Sequence, residues 1–146
     1  MRPLIELDRR GVQALLVDID DTITSAGKLT ARAYAALERL HRANVRVIPV
    51  TGRPAGWCDH IARMWPVDAV IGENGAFYFF YDGTRLHKRF QDALEIRRQK
   101  RARLEALSAH ILAAVPGCAL ASDQPRVAFV ARLRRDAHKK LLRGSR

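Results

Sequence analysis

Residues 16–24 read LVDIDDTIT and place three carboxylates, Asp18, Asp20 and Asp21, directly after an apolar run. The run, residues 12–17, is short and nearly continuous, which is typical of a strand covered on both faces in a parallel sheet. Carboxylates at the end of a buried strand repel one another, so this placement has an electrostatic cost. A bound cation would offset the cost, and the stretch therefore marks a candidate site.

The residues that follow predict an alternation of helices and strands. Apolar residues at helical spacing indicate helices over residues 29–43 and 54–65. Residues 45–50 are the next strand candidate, although Pro49 removes one ladder donor, and a third short apolar run lies within residues 68–76. This order predicts an α/β fold, a Rossmann-like three-layer core with a parallel sheet.

After residue 76 the pattern changes. Aromatic and β-prone residues flank Asp82-Gly83 and predict a hairpin, and a long helix is predicted over residues 92–115. Residues 118–124 are a candidate for one more strand edge. We therefore expect three parts: a partial core over residues 1–76, the start of an incomplete α+β cap over residues 77–125, and a basic tail over residues 126–146, for which disorder is an open alternative.

The composition is that of a folded protein, with 48% hydrophobic residues in a chain of 146. The apolar runs are far shorter than the roughly 20 residues of a membrane span, and the start of the chain has no signal sequence. Cys58 and Cys118 are not in metal-ligand or CxxC spacing, and the five histidines form no zinc motif. We expect a cytoplasmic protein with reduced thiols and no membrane partner.

The net charge of +11 is uneven along the chain. Residues 1–84 carry 10 basic and 10 acidic residues, whereas residues 85–146 carry 16 basic and 5 acidic residues. A solvated helix face explains such a cluster, and so does the attraction of an anionic substrate. Nucleic-acid binding is a third explanation, which we do not favour because no aromatic residue is interleaved with the charges of residues 97–103 for base stacking.

Strand geometry sharpens the interpretation of the carboxylates. Side chains alternate along an extended chain, so Asp18 and Asp20 are expected on one side with Ile19 turned away. Two carboxylates facing one pocket suit Mg²⁺, which prefers oxygen ligands. A carboxylate can also attack phosphorus while a second one transfers protons. A polar loop that caps a strand is the alternative for a lone DxD pattern.

A second polar segment, VTGRP at residues 50–54, also follows an apolar run. Thr51 is therefore expected at the same edge of the sheet as the carboxylates. Its hydroxyl and the N–H of Gly52, close to a helix start, suit a phosphoryl group. Alone, this segment is a good turn sequence. Two polar strand ends separated by one helix indicate a ligand site more specifically than either one alone.

These motifs resemble those of a known family. DIDDTIT at residues 18–24 is similar to the first motif, DxDx[TV], of the haloacid dehalogenase superfamily of phosphohydrolases, and VTGRP resembles its second motif. VIGENGA at residues 70–76 is similar to the ENGA stretch of its Cof-like or sucrose-phosphatase-like subfamily. The resemblance covers about residues 12–80.

The resemblance implies roles for five residues. Asp18 would be the nucleophile and a Mg²⁺ ligand. Asp20 would be general acid and then general base, with its backbone carbonyl on the metal. Thr22 would position Asp20, Thr51 would bind the phosphoryl oxygen, and Asn74 would lie on the substrate side where a cap begins.

The implied function is Mg²⁺-dependent hydrolysis of a phosphate monoester through an aspartyl-phosphate, with a small sugar-phosphate-like substrate. The third family motif, a Lys, and the fourth, an acidic GDxxND, have no counterpart, since no Gly-Asp pair occurs in the 146 residues. We therefore expect a truncated and weakly active chain. The alternatives are an inactive phosphate- or Mg²⁺-binding fragment and a nucleic-acid-binding module; the oligomeric state stays open.

Overall fold

The computed structural model describes Glu6, residues 10–120 and the backbone of residues 133–135. Three helices lie within 10–120, each within two residues of its predicted bounds: α1 (Ala31–Arg42), α2 (Ala55–Met64) and α3 (Leu94–Ala114). The strands of the described residues are β1 (Ala14–Asp18), β2 (Thr24–Ser25), β3 (Lys28–Leu29), β4 (Arg46–Val50), β5 (Val70–Gly72), β6 (Phe77–Tyr81), β7 (Leu86–Phe90), β8 (Cys118–Leu120) and β9 (Leu133–Arg135).

A five-stranded sheet in the order β1-β4-β5-β6-β7 forms the centre of the fold. The first three strands are parallel, and β6 and β7 are added antiparallel to them. The connections β1-α1-β4 and β4-α2-β5 are the crossovers that the alternating sequence pattern predicts. The predicted α/β, Rossmann-like fold is confirmed.

Strand β1 differs in one respect from its prediction. It lies at the edge of the sheet, and the side chain of Leu16 is 62% exposed. Within residues 10–120, β1 is therefore not covered on both faces. Pro49 does lie in a strand, β4, next to β1. The ladder between β4 and β5 is limited to the pair Val50 and Ile71, as expected where a proline removes a donor.

The hydrophobic core lies between α2 and the β6–β7 hairpin. Phe77 and Phe79 are almost fully buried, and their ring centroids lie 4.4 Å apart. Cys58 and Ile61 of α2 and Val70 of β5 complete this cluster. Burying two phenylalanines contributes several kcal/mol at about 25 cal/mol per Å². The hairpin is thus part of the packing that holds the core together.

The hairpin also bears on the predicted domain limits. The limit after Ala76 falls between β5 and β6, yet Val70 pairs with Phe79 and Gly72 pairs with Phe77 in one continuous sheet. The division of the chain into three parts stays a prediction. The hairpin, which was assigned to the cap, is hydrogen-bonded to the core sheet. The strand edge expected after helix α3 is present as β8, which pairs with β9.

The remainder of the tail prediction lies outside the described residues. Residues 121–132 and 136–146 are not described. In the part of the chain that is described, no helix is both long and apolar enough to cross a bilayer.

Gly72 has no room for a side chain. A Cβ at this position would lie 2.2 Å from Cζ of Phe77 and 2.7 Å from Sγ of Cys58. The φ of Gly72 is −114°, which any residue adopts, so the cost of a substitution is steric. We expect Gly72→Ala to lower the free energy of unfolding by about 1–3 kcal/mol, measured by urea denaturation.

A second-site change tests this steric origin. In the Phe77→Leu background the ring is gone, so adding Gly72→Ala should cost clearly less than it does in the wild type. An equal cost in both backgrounds would show that the methyl group does not meet Phe77.

The Asp82 turn predicts a pH dependence. The N–H of Arg85 is the largest cause that lowers the pKa of the Asp82 carboxyl, followed by hydrogen bonds from His87 and Thr84. A carboxyl with a lowered folded pKa adds stability above its unfolded pKa of about 3.9, and this is lost as pH falls. The melting temperature of Asp82→Asn should therefore fall less between pH 6 and pH 3 than that of the wild type. The charge-matched Asp21→Asn should keep the wild-type dependence; an Asp82→Asn profile equal to wild type would contradict the prediction.

Candidate active site

Two of the predicted site residues come together through the register of the sheet. Asp18 is the last residue of β1 and pairs with Val50, the last residue of β4. Thr51 follows Val50 directly, so Asp18 and Thr51 lie at the carboxyl ends of adjacent parallel strands. We call this the carboxyl edge; it is where open α/β sheets bind ligands.

The loop after β1 turns sharply at the carboxyl edge. Ile19 is 5% exposed and anchors the loop in the core, which agrees with its expected orientation away from the carboxylates. Asp20 is extended, whereas Asp21 has a φ of 57°, a left-handed conformation that Asp tolerates better than most residues. The hydroxyl of Thr24 donates to the carbonyl of Ile19 at 2.9 Å and accepts from the N–H of Asp21 at 3.2 Å.

Thr22 contacts a different carboxylate from the one expected. Its hydroxyl donates to Oδ2 of Asp18 at 3.4 Å, and not to Asp20. The separation of four residues across the turn brings Thr22 back over the end of β1. The hydroxyl therefore orients the carboxylate of Asp18, and the role of Thr22 in positioning Asp20 stays a prediction.

The carboxylate of Asp20 is held by Arg53, a residue that the sequence analysis did not single out. Nη2 of Arg53 lies 2.5 Å from Oδ1 of Asp20, and Nε lies 3.2 Å from Oδ2. This is the two-pronged geometry in which guanidinium and carboxylate groups pair most strongly. Arg53 also lies over the ring of Trp57, with Cζ 5.2 Å from the centroid. The sequence feature that could have indicated this contact is the Arg of TGRP, but the sequence alone does not show which carboxylate the Arg contacts.

Thr51 is fixed in place by the backbone around it. It is 2% exposed, and its N–H donates to the carbonyl of Ile71 at 2.9 Å. Its carbonyl accepts from the N–H of Asn74 at 3.2 Å, and its hydroxyl oxygen accepts from the N–H of Arg53 at 3.1 Å. The side chain of Thr51 is therefore buried and fixed at the carboxyl edge. Gly52 lies in the same turn, between Thr51 and Arg53.

The turn after β5 lies against this segment. Glu73 and Asn74 have φ values of 47° and 56°, and the N–H of Glu73 donates to the carbonyl of Arg53 at 3.2 Å. Asn74 therefore lies beside Thr51 at the carboxyl edge, and its place on the substrate side stays a prediction. Glu73 is 4% exposed, so its side chain is buried within this turn.

Cys58 lies below the same turn but is chemically inert. It is fully buried, and burial raises the pKa of its thiol to about 12, with a smaller contribution from the charge of Glu73. The thiol is therefore protonated at neutral pH, when only the thiolate is a good nucleophile. Cys58 is therefore a poor candidate for a nucleophile, and Asp18 as the nucleophile stays a prediction.

The donor set at the carboxyl edge fits Mg²⁺ in type. Asp18 offers a carboxylate and Asp20 a backbone carbonyl, and Mg²⁺ is commonly held by one or two carboxylates with water completing its shell. No group of three or more His, Cys, Asp or Glu residues is placed to hold a metal ion within residues 10–120. The arrangement is thus a partial ligand set.

A cavity of about 450 Å³ opens beside Asn74, between the Glu73–Gly75 turn and α3. Lys100 and Arg103 of α3 line it on one side, and Lys100 lies 2.5 Å from Asp92. Its other lining residues are Glu73, Ala76, Gln91, Asp92 and Leu104.

The basic residues of α3 are partly neutralised within the chain. Arg98 pairs with Glu95 at 4.0 Å and Arg101 with Glu105 at 2.9 Å. Arg97 lies over the ring of Phe90, with Cζ 3.8 Å from the centroid. A helix face built from such internal pairs is typical of a solvated surface.

Comparisons with known proteins agree with this geometry. The profile of haloacid dehalogenase-like hydrolases matches residues 15–104. BT1666 from Bacteroides thetaiotaomicron, described among phosphatases of the haloalkanoate (HAD) superfamily, is 28% identical over 71% of this chain and 40% of its own, with a TM-score of 0.49. A hypothetical protein from Geobacillus kaustophilus HTA426 is 22% identical over 84% of this chain and 43% of its own, with a TM-score of 0.53. The subclass IIB sugar phosphatase BT4131 is 21% identical over 76% of this chain and 41% of its own, with a TM-score of 0.45.

The chain spans 40–43% of the length of these three solved structures. The comparison with curated proteins gave no match. The likeness to the G. kaustophilus protein supports the fold. The family match covers more than half of the 146 residues and contains all three motifs on which the resemblance was based. The chain therefore belongs to the haloacid dehalogenase-like hydrolase family.

Proposed function

We propose that this chain binds the phosphoryl group of a small phosphate monoester and transfers it to Asp18, as a Mg²⁺-dependent phosphatase of low activity. The observation that carries the proposal is the register of β1 and β4, which brings Asp18 and Thr51 to one edge. Phosphoryl transfer depends mainly on positioning and charge stabilisation, and this edge offers a nucleophile beside a fixed donor. A sugar-phosphate-like substrate and a cytoplasmic location belong to the proposal.

The proposed reaction has two steps. An oxygen of Asp18 attacks phosphorus, the bond to the ester oxygen breaks, and Asp20 gives that oxygen a proton. Water then attacks the aspartyl-phosphate while Asp20 accepts its proton, which returns Asp18 and releases phosphate. The hydroxyl group of Thr51 donates a hydrogen bond to a phosphoryl oxygen in both steps. Mg²⁺, held by Asp18 and the Asp20 carbonyl, would neutralise charge on the phosphoryl oxygens.

Phosphate binding without useful turnover is the second candidate. It is favoured by the partial ligand set, since no group of three or more His, Cys, Asp or Glu residues is placed to hold a metal ion within residues 10–120. Binding to nucleic acid through α3 is a weaker alternative, because Arg98, Lys100 and Arg101 are engaged with acidic residues of the same chain.

Asp18→Asn should abolish turnover, because an amide oxygen does not form the covalent intermediate. With an aryl phosphate as substrate and Mg²⁺ present, the variant should release product no faster than the buffer control. Its affinity for Mg²⁺, measured by calorimetry, should also fall. Asp21→Asn removes the same charge three residues away and should keep both properties; a variant of Asp18 with wild-type turnover would exclude it as the nucleophile.

The wild-type 146-residue chain should itself be a poor catalyst. Loss of one preorganised charge-stabilising group commonly costs about 10²–10³ in rate, and two family motifs have no counterpart here. We expect kcat/KM well below the ordinary enzyme range of about 10⁴ M⁻¹s⁻¹ or more. Steady-state kinetics with a panel of sugar phosphates checks this; a value in that range would show that other groups complete the site.

A further inference from the structure

Arg53 occupies an unusual position for a surface arginine. Its guanidinium group grips both carboxylate oxygens of Asp20, which the proposed reaction needs as a proton donor and acceptor. While both oxygens accept hydrogen bonds from Arg53, one lone pair of each is occupied and the carboxylate is oriented by the guanidinium group. Opening of the pair would leave both oxygens free to contact a leaving group.

The backbone of Arg53 is fixed, so the side chain is the part that can move. Its N–H donates to the hydroxyl oxygen of Thr51, and its carbonyl accepts from the N–H of Glu73. These bonds hold the Cα of Arg53 two residues from the predicted phosphoryl contact. The guanidinium group contacts Asp20 from a backbone position that is hydrogen-bonded to Thr51, the residue at which we propose that a phosphoryl group binds.

The energetics favour an exchange of partners. The side chains of Arg53 and Asp20 are 35% and 44% exposed, so their pair is partly solvated and breaking it costs little. A phosphate group carries more charge than one carboxylate and matches the same two-pronged geometry. Trp57 offers a flat ring on which the guanidinium group can rest while it changes partner.

We propose that Arg53 is a phosphate-responsive clamp. Without substrate it holds Asp20; when a phosphoryl group binds beside Thr51, Arg53 moves to the phosphoryl oxygens and releases Asp20 for proton transfer. Arg53 then contributes positive charge at a site whose family carries a lysine for that purpose. The inference rests on the proposed function and adds to it a phosphate contact that also positions the acid.

Binding of inorganic phosphate, measured by calorimetry in the presence of Mg²⁺, tests the first half of the proposal. Arg53→Met keeps an unbranched stem against Trp57 but removes the charge, and should weaken phosphate binding about 10- to 100-fold. Arg53→Lys keeps the charge and should recover part of this loss. Arg42→Met, which removes an arginine paired with Glu38 in the last turn of α1, is the matched control and should bind as the wild type does.

A double-mutant cycle tests the exchange itself. Asp20→Asn removes the competitor for Arg53, so phosphate should bind more tightly than to the wild type. That gain would also follow from simple charge repulsion, but repulsion persists when Arg53 is absent. In the Arg53→Met background the gain from Asp20→Asn should therefore shrink. An unchanged gain would overturn the clamp.

Failure of the clamp can be told apart from failure of the phosphatase proposal. If no hydrolysis is found but phosphate binding depends on Arg53 and the cycle shows coupling, the clamp stands without the enzyme. If hydrolysis requires Asp18 while Arg53→Met binds phosphate normally, the enzyme stands without the clamp. If the folded wild type, checked by circular dichroism, binds no phosphate at millimolar concentration, both are overturned.

Discussion

The carboxyl edge depends on a small set of backbone hydrogen bonds between the turns that follow β4 and β5. Thr51 donates to Ile71 and accepts from Asn74, while the carbonyl of Arg53 accepts from Glu73. These bonds satisfy polar groups in a partly buried turn and leave few ways to arrange it. Side-chain functions at the edge, including the Thr51 hydroxyl and the base of Arg53, are therefore placed by main-chain geometry.

These backbone hydrogen bonds depend in turn on tight packing around β5. Gly72 lets the ring of Phe77 and the thiol of Cys58 approach the backbone of β5. The hairpin that contains Phe77 continues the same sheet. The aromatic cluster and the carboxyl edge therefore both depend on one strand, β5. A defect in the core at Gly72 is transmitted to Glu73 and Asn74 because they are the next residues along the chain. The stability of the core and the geometry of the carboxyl edge are therefore coupled through neighbouring residues of the chain.

Sequence patterns could predict what is local. Helical spacing gave α1, α2 and α3 within two residues, and the two polar strand ends gave Asp18 and Thr51 at one edge. Placement of the hairpin in the core sheet depends on partner choice between strands, which no local pattern encodes. The contacts of Thr22 with Asp18 and of Arg53 with Asp20 depend on side-chain directions in turns with left-handed residues. These side-chain directions follow from the tertiary structure. The sequence therefore indicated which residue types are present at the site, but not which side chains contact one another.

The electrostatics of the edge explain why an arginine in this position is useful. Under the proposed function, the carboxylates of Asp18 and Asp20 would repel an incoming phosphate anion. Both carboxylates are exposed, so solvent screens this repulsion only in part, and a site without ligand benefits from a cation of its own. Arg53 meets this need by pairing with Asp20. In the clamp that we propose, it would move to the phosphoryl group when the ligand binds. A fixed cation would stabilise only one of the two states, whereas a side chain that rests on Trp57 can serve both.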